Sequence, residues 1–137
     1  KRGRKSAPFM GTILKKLKAA PDLILSSPAN RASMTARIIA DKIGYPLEKI
    51  RYSESIYEFS AKALIDVINH LDDVVNKAML VGHNPALTDL ANYIGDQPIR
   101  NIPTSGVFCA DLDIPSWAKI SDHCGKSKFF EFPKKHA

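Results

Sequence analysis

The sequence LILSSPANR, residues 23–31, is a short apolar run that stops at two serines and then meets a proline suited to a first helical turn. A second stretch, MLVGHNP at residues 79–85, repeats this pattern. Each stretch predicts a buried strand followed by a loop and a helix. Each also places one polar residue, Arg31 or His83, at the carboxyl end of its strand, the edge where open α/β sheets bind ligands. An arginine and a histidine beside helix N-termini indicate an anion site, and a phosphoryl group is the anion that this pair favours.

The length and composition predict one globular domain over residues 1–137. The chain is 45% hydrophobic and 25% charged, which is ordinary for such a domain. No apolar run approaches the ~20 residues that a membrane-spanning helix needs, and no signal-peptide pattern follows the basic first residues. Cys109 and Cys124 are too few for a disulfide framework and fit reduced thiols. We therefore expect a cytoplasmic protein without a membrane partner.

The net charge of +6 favours acidic partners or a phosphorylated substrate. Much of the positive excess lies at the ends of the chain, in residues 1–5 and 126–135, where charged side chains keep a protein in solution. A nucleic-acid-binding role would rest on these ends alone, without a recognition motif or interleaved aromatic residues. No nucleic-acid partner is therefore expected.

Hydrophobic periodicity predicts helices that alternate with strands. Ser27 is predicted to cap the second helix, with Pro28 in its first position and Gly44 at its end. The alternation predicts an α/β fold, a three-layer α/β/α sandwich with a mostly parallel central sheet. The predicted helices span about residues 6–20, 28–43, 64–71 and 85–94, and the predicted strands about residues 22–25, 50–52, 78–81, 106–112 and 128–132.

Several segments, in order and at matching spacing, make the chain similar to the histidine phosphatase superfamily, whose fold is phosphoglycerate mutase-like. Within it, the chain most resembles the small bacterial phosphohistidine phosphatases of the SixA type. The resemblance covers nearly the whole chain. The segments that carry it are residues 1–11 (the family's first helix), 22–35 (its second-arginine motif), 80–85 (its second-histidine motif) and 103–107 (the start of a later strand).

One feature of that family is missing from this sequence. The family carries an Arg-His pair at the end of its first strand, and the histidine of the pair is the nucleophile; no Arg-His pair occurs among these 137 residues. The family's first strand is central in its sheet, and its loss would leave neighbouring backbone groups unpaired. We therefore expect that an N-terminal strand with this pair precedes the given chain; the alternative is a protein without the nucleophile.

The resemblance assigns phosphate-binding and catalytic roles to Arg31 and His83. A guanidinium can donate two hydrogen bonds to two phosphoryl oxygens, and a helix N-terminus adds free N–H groups. Gly82 lets the backbone turn sharply before His83, whose imidazole can donate to a phosphoryl oxygen. Without the resemblance, a surface arginine is an equally good interpretation of Arg31, and a structural histidine is the better interpretation of His83.

Three further residues are candidates with open alternatives. By resemblance, Glu58 occupies the place of a carboxylic acid that protonates the leaving group, but it also fits a solvated loop; Glu54 is a weaker candidate. Asn84 could orient a loop or offer a backbone N–H to a ligand. Ser27 fits a helix cap better than a ligand contact.

The resemblance implies a metal-independent phosphatase that hydrolyses phosphohistidine in a protein through a phosphohistidine enzyme intermediate. Arginine and histidine side chains supply the positive charge, so no cofactor and no metal are expected. One alternative is a phosphatase of small phosphoesters on the same fold. Another is a non-catalytic module that binds a phosphorylated ligand, if the chain truly starts at Lys1. The sequence leaves the oligomeric state open.

Overall fold

The computed structural model describes residues 2–57 and 60–136, with the side chains of residues 2–5 excepted. Helices and strands alternate as the sequence predicts. The helices are α1 (Arg2–Lys16), α2 (Asn30–Ile43), α3 (Ala61–Asn69) and α4 (Ala86–Ile94), and the strands are β1 (Leu23–Ser26), β2 (Arg51–Tyr52), β3 (Ala78–Val81), β4 (Val107–Leu112) and β5 (Gly125–Glu131). Short 3-10 helices lie at Leu47–Lys49, Glu54–Tyr57, Trp117–Lys119 and Pro133–His136.

The first three strands form a parallel sheet in the order β2-β1-β3. Ser26, the last residue of β1, lies opposite Tyr52 of β2 on one side and Val81 of β3 on the other. The carboxyl ends of all three strands therefore lie at one edge of the sheet. A separate antiparallel pair is formed by β4 and β5, with an irregularity in register between Cys109 and Ala110.

Both faces of β1 are covered by helices, which explains why all four of its residues are buried. On one face, Ile24 packs against small residues of α2; on the other, Leu23 and Leu25 pack against apolar residues of α3 and α4. These contacts confirm the predicted three-layer α/β/α arrangement with a mostly parallel sheet. The buried helix residues of these two clusters include Ala36, Ala40, Leu64, Ile68 and Leu90.

The helices α1 and α2 approach each other closely at Gly11. A Cβ atom at this position would lie 2.6 Å from Cβ of Lys42 in α2, a distance that real side chains do not tolerate. On the same helix, Ala7, Met10 and Leu14 are buried. The helix continues through Pro8, although proline removes one backbone hydrogen bond. The predicted start of α1 near Ser6 was therefore wrong, because packing maintains the helix on both sides of the proline.

The predicted cap of α2 was also wrong at its first turn. The N-cap residue is Ala29, which makes no side-chain capping bond, and Pro28 lies outside the helix. The hydroxyl of Ser27 accepts a hydrogen bond from the N–H of Ala29 at 3.2 Å and lies close to His83, as described below. The predicted end of α2 is confirmed, since Gly44 has φ +82° and caps the helix in a left-handed conformation.

The last strand is longer than its apolar residues indicate. It begins at Gly125, three residues before the predicted start at Lys128, because residues 125–127 pair with residues 110–112 of β4. Gly125 is buried but has no apolar side chain, and Lys126 and Ser127 are exposed, so the hydrophobic pattern did not reveal them. No helix among residues 2–57 and 60–136 is long and apolar enough to cross a membrane.

Candidate active site

The carboxyl ends of β1 and β3 bring the two predicted strand-to-helix corners together. After the last residue of β1, the N–H of Ser27 donates to the carbonyl of Val81 at 2.9 Å, so the two segments of the polypeptide stay adjacent for one more residue. The first corner continues into α2, where Arg31 lies exposed in the first turn. The second continues through Gly82 to His83. The parallel register therefore places both predicted phosphate ligands at one edge of the sheet.

His83 is held by a buried hydroxyl from the neighbouring corner. Its Nε2 atom lies 2.9 Å from Oγ of Ser27, and Ser27 is completely buried. The hydroxyl of Ser26 donates to the carbonyl of Ser27 at 2.9 Å and thereby fixes this turn of the backbone. The half-buried imidazole thus has a defined orientation before any ligand arrives. The two serines after the apolar run marked the end of the strand, but no local pattern predicted the contact of Ser27 with His83.

Tyr57 is a second neighbour of His83 that the sequence did not single out. The two ring centroids lie 5.9 Å apart, with an angle of 35° between the ring planes. Tyr57 is the last residue of a 3-10 helix and is 50% exposed. Hydrophobic periodicity did not predict this contact, because it identifies buried faces of helices and strands and Tyr57 is exposed.

The side chain of Asn84 organises the loop around His83, which is one of the two roles predicted for this residue; the binding of a ligand by its backbone N–H stays a prediction. Its Nδ2 atom donates to the carbonyl of Ile102 at 2.6 Å and lies 3.3 Å from Oδ1 of Asn101. Its Oδ1 atom accepts hydrogen bonds from the N–H and the hydroxyl of Thr88 in α4. That hydroxyl in turn accepts from the N–H of Ile102 at 3.0 Å. The side chain of Asn84 therefore joins α4 to the segment that leads into β4.

A cavity of about 1530 Å³ separates β3 from β4, and the candidate site lies at one end of it. All of β3 and all of β4 line this cavity, together with Arg31 and His83. Within the described residues, β3 pairs only with β1, and β4 pairs only with β5. Each of these strands therefore has one edge without a backbone partner, and both of these edges lie along the same cavity.

The two edges run in opposite directions. At the site, the Asn84–Ile102 bond joins the residues after β3 to the residues before β4. At the far end, the indole of Trp117, which follows β4, donates to the carbonyl of Val75, which precedes β3, at 2.8 Å. A strand placed between them could pair parallel with β3 and antiparallel with β4, as in a mixed sheet. Its carboxyl end would then lie beside Arg31 and His83.

The first turns of α1 also lie at the site end of the cavity. The hydroxyl of Ser6 lies 2.8 Å from the hydroxyl of Ser105, two residues before β4 begins. The polypeptide thus enters α1 at the edge where a strand parallel to β3 would finish. A strand, α1 and β1 in this order would form a β-α-β unit, the usual connection between parallel strands.

Comparison with solved structures identifies this arrangement. The chain superimposes on a protein histidine phosphatase SixA complexed with tungstate at a TM-score of 0.80, with 17% identity. The superposition covers 96% of this chain and 81% of that one. It also matches a putative phosphohistidine phosphatase SixA from Agrobacterium tumefaciens at a TM-score of 0.74, with 27% identity, over 93% of this chain and 78% of that one. The chain has the SixA-type histidine phosphatase fold. This confirms the resemblance inferred from the sequence motifs.

Further comparisons agree with this fold. A putative phosphohistidine phosphatase SixA from Nakamurella multipartitia matches at a TM-score of 0.77, with 15% identity, over 94% of this chain and 80% of that one. Uncharacterized proteins from two strains of Mycobacterium tuberculosis are 28% identical over 144 residues, covering 97% of this chain and 87% of each relative. No protein-family model matches the chain.

Of the remaining predicted residues, Glu54 and Glu58, only Glu54 lies in the described part of this SixA-type fold. Glu54 is exposed at the start of the 3-10 helix that ends at Tyr57. Glu58 lies outside the described residues, so its role stays a prediction. A group of three or more His, Cys, Asp or Glu side chains that could hold a metal ion is absent from residues 2–57 and 60–136. The groups placed at the site are those suited to holding an oxyanion.

Proposed function

We propose that this protein is a metal-independent phosphatase that hydrolyses phosphohistidine in a protein through a phosphohistidine enzyme intermediate. The observation that carries the proposal is the joint placement of Arg31 and His83 on one cavity, at the carboxyl ends of adjacent parallel strands of a SixA-type fold. One structure of this fold is a protein histidine phosphatase complexed with tungstate, a tetrahedral oxyanion like phosphate.

The two side chains would act on the charge of the phosphoryl group. Arg31 lies exposed in the first turn of α2, so its guanidinium can reach a ligand from a helix end that also attracts anions. His83 can donate a hydrogen bond to another phosphoryl oxygen while Ser27 fixes its ring. Phosphoryl transfer depends mainly on positioning and on stabilising the charge of the equatorial oxygens, and these groups can do both.

The nucleophile is proposed to be a histidine at the end of a strand that precedes α1 and fills the cavity between β3 and β4. Such a strand would give both free edges a partner, and its carboxyl end would lie beside Arg31 and His83. An imidazole nitrogen of that histidine would attack phosphorus while the bond from phosphorus to the substrate imidazole breaks, and the substrate imidazole leaves neutral because it keeps the proton on its other ring nitrogen. Water would then attack the enzyme phosphohistidine, which releases inorganic phosphate and restores the histidine.

The leaving group decides whether an acid is needed, and this separates the main proposal from a phosphatase of small phosphoesters. An alkoxide leaves poorly without a proton, whereas an imidazole needs less help. We propose Glu58 as that acid if the substrate is a phosphoester. Glu58→Gln should then lower turnover of sugar or nucleotide phosphates strongly and turnover of phosphohistidine weakly.

A binding-only function is the second candidate, and the observation that favours it is the lack of an Arg-His pair in these 137 residues. Under that hypothesis, Arg31 and His83 would hold a phosphorylated ligand without turnover. The intact mass of the purified natural protein distinguishes the catalytic proposal from the binding-only hypothesis. A mass well above 15.1 kDa is expected if a strand precedes this chain, and a mass equal to it favours the binding-only function.

The catalytic experiment measures phosphate release from a protein carrying phosphohistidine, with the natural protein and its variants. Arg31→Ala and His83→Ala should each lower kcat/KM by about 10²-fold or more, since each removes a donor to the transition state. The matched controls are Arg37→Ala, an exposed arginine further along α2, and His70→Ala, an exposed histidine after α3. Unchanged turnover in both site variants would exclude the assigned site.

A further inference from the structure

The feature that the proposed function leaves unused is the Tyr57 ring beside His83. The Tyr57 side chain is 50% exposed. Its centroid lies 5.9 Å from that of His83. A phosphoryl group bound to His83 would therefore have its substituent within reach of an exposed aromatic surface.

The position of Tyr57 is fixed by its own segment. The preceding residue, Ile56, is 1% exposed and belongs to the core cluster of α3 and α4. A Cβ atom on Gly82 would lie only 3.0 Å from Cγ2 of Ile56, so the segment packs directly against the residue before His83. On its other side, the N–H of Ser53 donates to the carbonyl of Ser26 at 3.0 Å. The segment is thus attached to both corners that form the site.

An exposed aromatic ring on a well-packed segment beside a phosphoryl site can distinguish ligands by the shape of the group to which the phosphoryl is attached. A flat imidazole can stack on the phenol ring or meet it edge to face, and such aromatic pairs add to the burial of surface. The aliphatic side chain of phosphoserine offers no comparable face. His83 needs no help from Tyr57 to keep its orientation, because the Ser27 hydroxyl already holds its Nε2 atom.

We infer that Tyr57 is a specificity-determining residue that favours phosphoryl ligands with a flat aromatic substituent, such as the imidazole of phosphohistidine. This inference rests on the proposed function, since it assumes that the phosphoryl group binds at Arg31 and His83. It adds a residue that contacts the substituent rather than the phosphoryl oxygens.

The test is equilibrium binding, so that it does not depend on turnover. Calorimetry would compare three probes: inorganic phosphate, a peptide with phosphoryl-triazolylalanine as a stable mimic of phosphohistidine, and the same peptide with phosphoserine. Tyr57→Leu should weaken binding of the triazole peptide by about 3- to 10-fold, the range for loss of one aromatic pair. Binding of phosphate and of the phosphoserine peptide should change less than about 2-fold, and Tyr57→Phe should bind all three probes as the natural chain does.

The controls separate this inference from the proposed function. Tyr52→Leu replaces a similarly exposed tyrosine, 46% accessible on β2, and should leave all three affinities unchanged. His83→Ala should abolish binding of every probe; if it does not, the proposed site is wrong and the inference fails with it. If His83→Ala abolishes binding but Tyr57→Leu weakens all probes equally, or none, the site stands and Tyr57 has no role in specificity.

Discussion

The strands β1 and β3 have similar sequences and lie side by side, yet they are buried to different extents. Each has four residues, each is almost wholly apolar, and each ends at a corner that leads to a helix. All four residues of β1 are buried, whereas all four residues of β3 are only half-buried. The difference lies in their neighbours, because β1 pairs on both edges and β3 has one edge along the cavity. An apolar sequence therefore shows what a strand is suited to, and its neighbours decide how far it is buried.

The largest expected effect comes from truncating one core side chain in each strand. Ile24→Ala in β1 removes a fully buried side chain and should lower the free energy of unfolding by about 2–5 kcal/mol. Leu80→Ala in β3 should cost less than half as much, because the half-buried leucine has fewer neighbours to lose. Urea unfolding monitored by circular dichroism would measure the loss in free energy of unfolding for both variants.

The same pair of variants sharpens the comparison when a strand precedes α1. In such a longer polypeptide, the cost of Leu80→Ala should rise toward that of Ile24→Ala. Equal costs already in the 137-residue chain would contradict the view that β3 has an open edge.

The second prediction compares one threonine from each corner. Thr88→Val in α4 removes the hydroxyl that donates to Oδ1 of Asn84 and accepts from the N–H of Ile102, and it leaves the buried N–H of Ile102 without this partner. The free energy of unfolding should fall by about 1–3 kcal/mol. Thr35→Val in α2 is the matched control, since this hydroxyl only donates to the carbonyl of Arg31 one turn earlier. The free energy of unfolding of Thr35→Val should stay within about 0.5 kcal/mol of that of the natural chain in the same measurement. A similar loss of stability in both variants would refute the special role of the Asn84 network.

The third prediction uses Cys109 to test the cavity directly. This residue lies on β4 and lines the cavity, and burial raises the pKa of its thiol. Iodoacetamide should therefore modify it slowly near pH 8 and faster at higher pH, since the thiolate is the reactive form. A strand in the cavity should slow the reaction by about 10-fold or more, as a cooperative opening of the sheet would then be required.

Cys124 provides the internal control for this measurement, because it packs against the α3–α4 core cluster rather than along the cavity. Mass spectrometry of tryptic peptides would follow both cysteines in the short and the longer polypeptide. If Cys109 reacts at the same rate in both, no strand fills the cavity.

The smallest expected effect concerns Asp22, whose carboxylate joins the starts of β1 and β3. The N–H groups of Asn76 and Lys77 donate to its Oδ2 atom at 2.8 and 3.0 Å and hold the pKa of this carboxyl below its usual range. Because the pKa is lower in the folded state, the stabilisation is complete above the unfolded-state pKa of about 3.9 and is lost as the pH falls through the folded value.

Asp22→Asn should therefore lower stability slightly near neutral pH, and the difference from the natural chain should disappear under strongly acidic conditions. Thermal unfolding across this pH range measures the effect, with the exposed Asp41→Asn on α2 as the control for loss of one charge. A difference that persists at the lowest pH would show that Asp22 acts through packing instead.

Local sequence patterns predicted the helices and strands well where one face was buried. They predicted helix starts and side-chain partners less well where contacts with distant residues set them. The last residues of β3, α2 and α4 agree with the prediction within one residue, because apolar spacing and glycine act locally. The predicted start of α1 was wrong because the helix continues through Pro8, with Ala7 and Met10 buried on either side of it. The predicted cap role of Ser27 was wrong because its hydroxyl contacts a distant residue. Ser27 contacts His83 over a separation of 56 residues, and no local pattern reports such a contact.

By itself, the sequence determined the alternation of strands and helices and the placement of Arg31 and His83 at strand ends, because hydrophobic period and turn residues act over a few positions. Only the tertiary structure decided that β1 and β3 pair in parallel, that Ser27 and Tyr57 flank His83, and that a cavity lies between β3 and β4. The physical reason is that pairing register and the covering of strand edges depend on neighbours that the chain reaches only after folding.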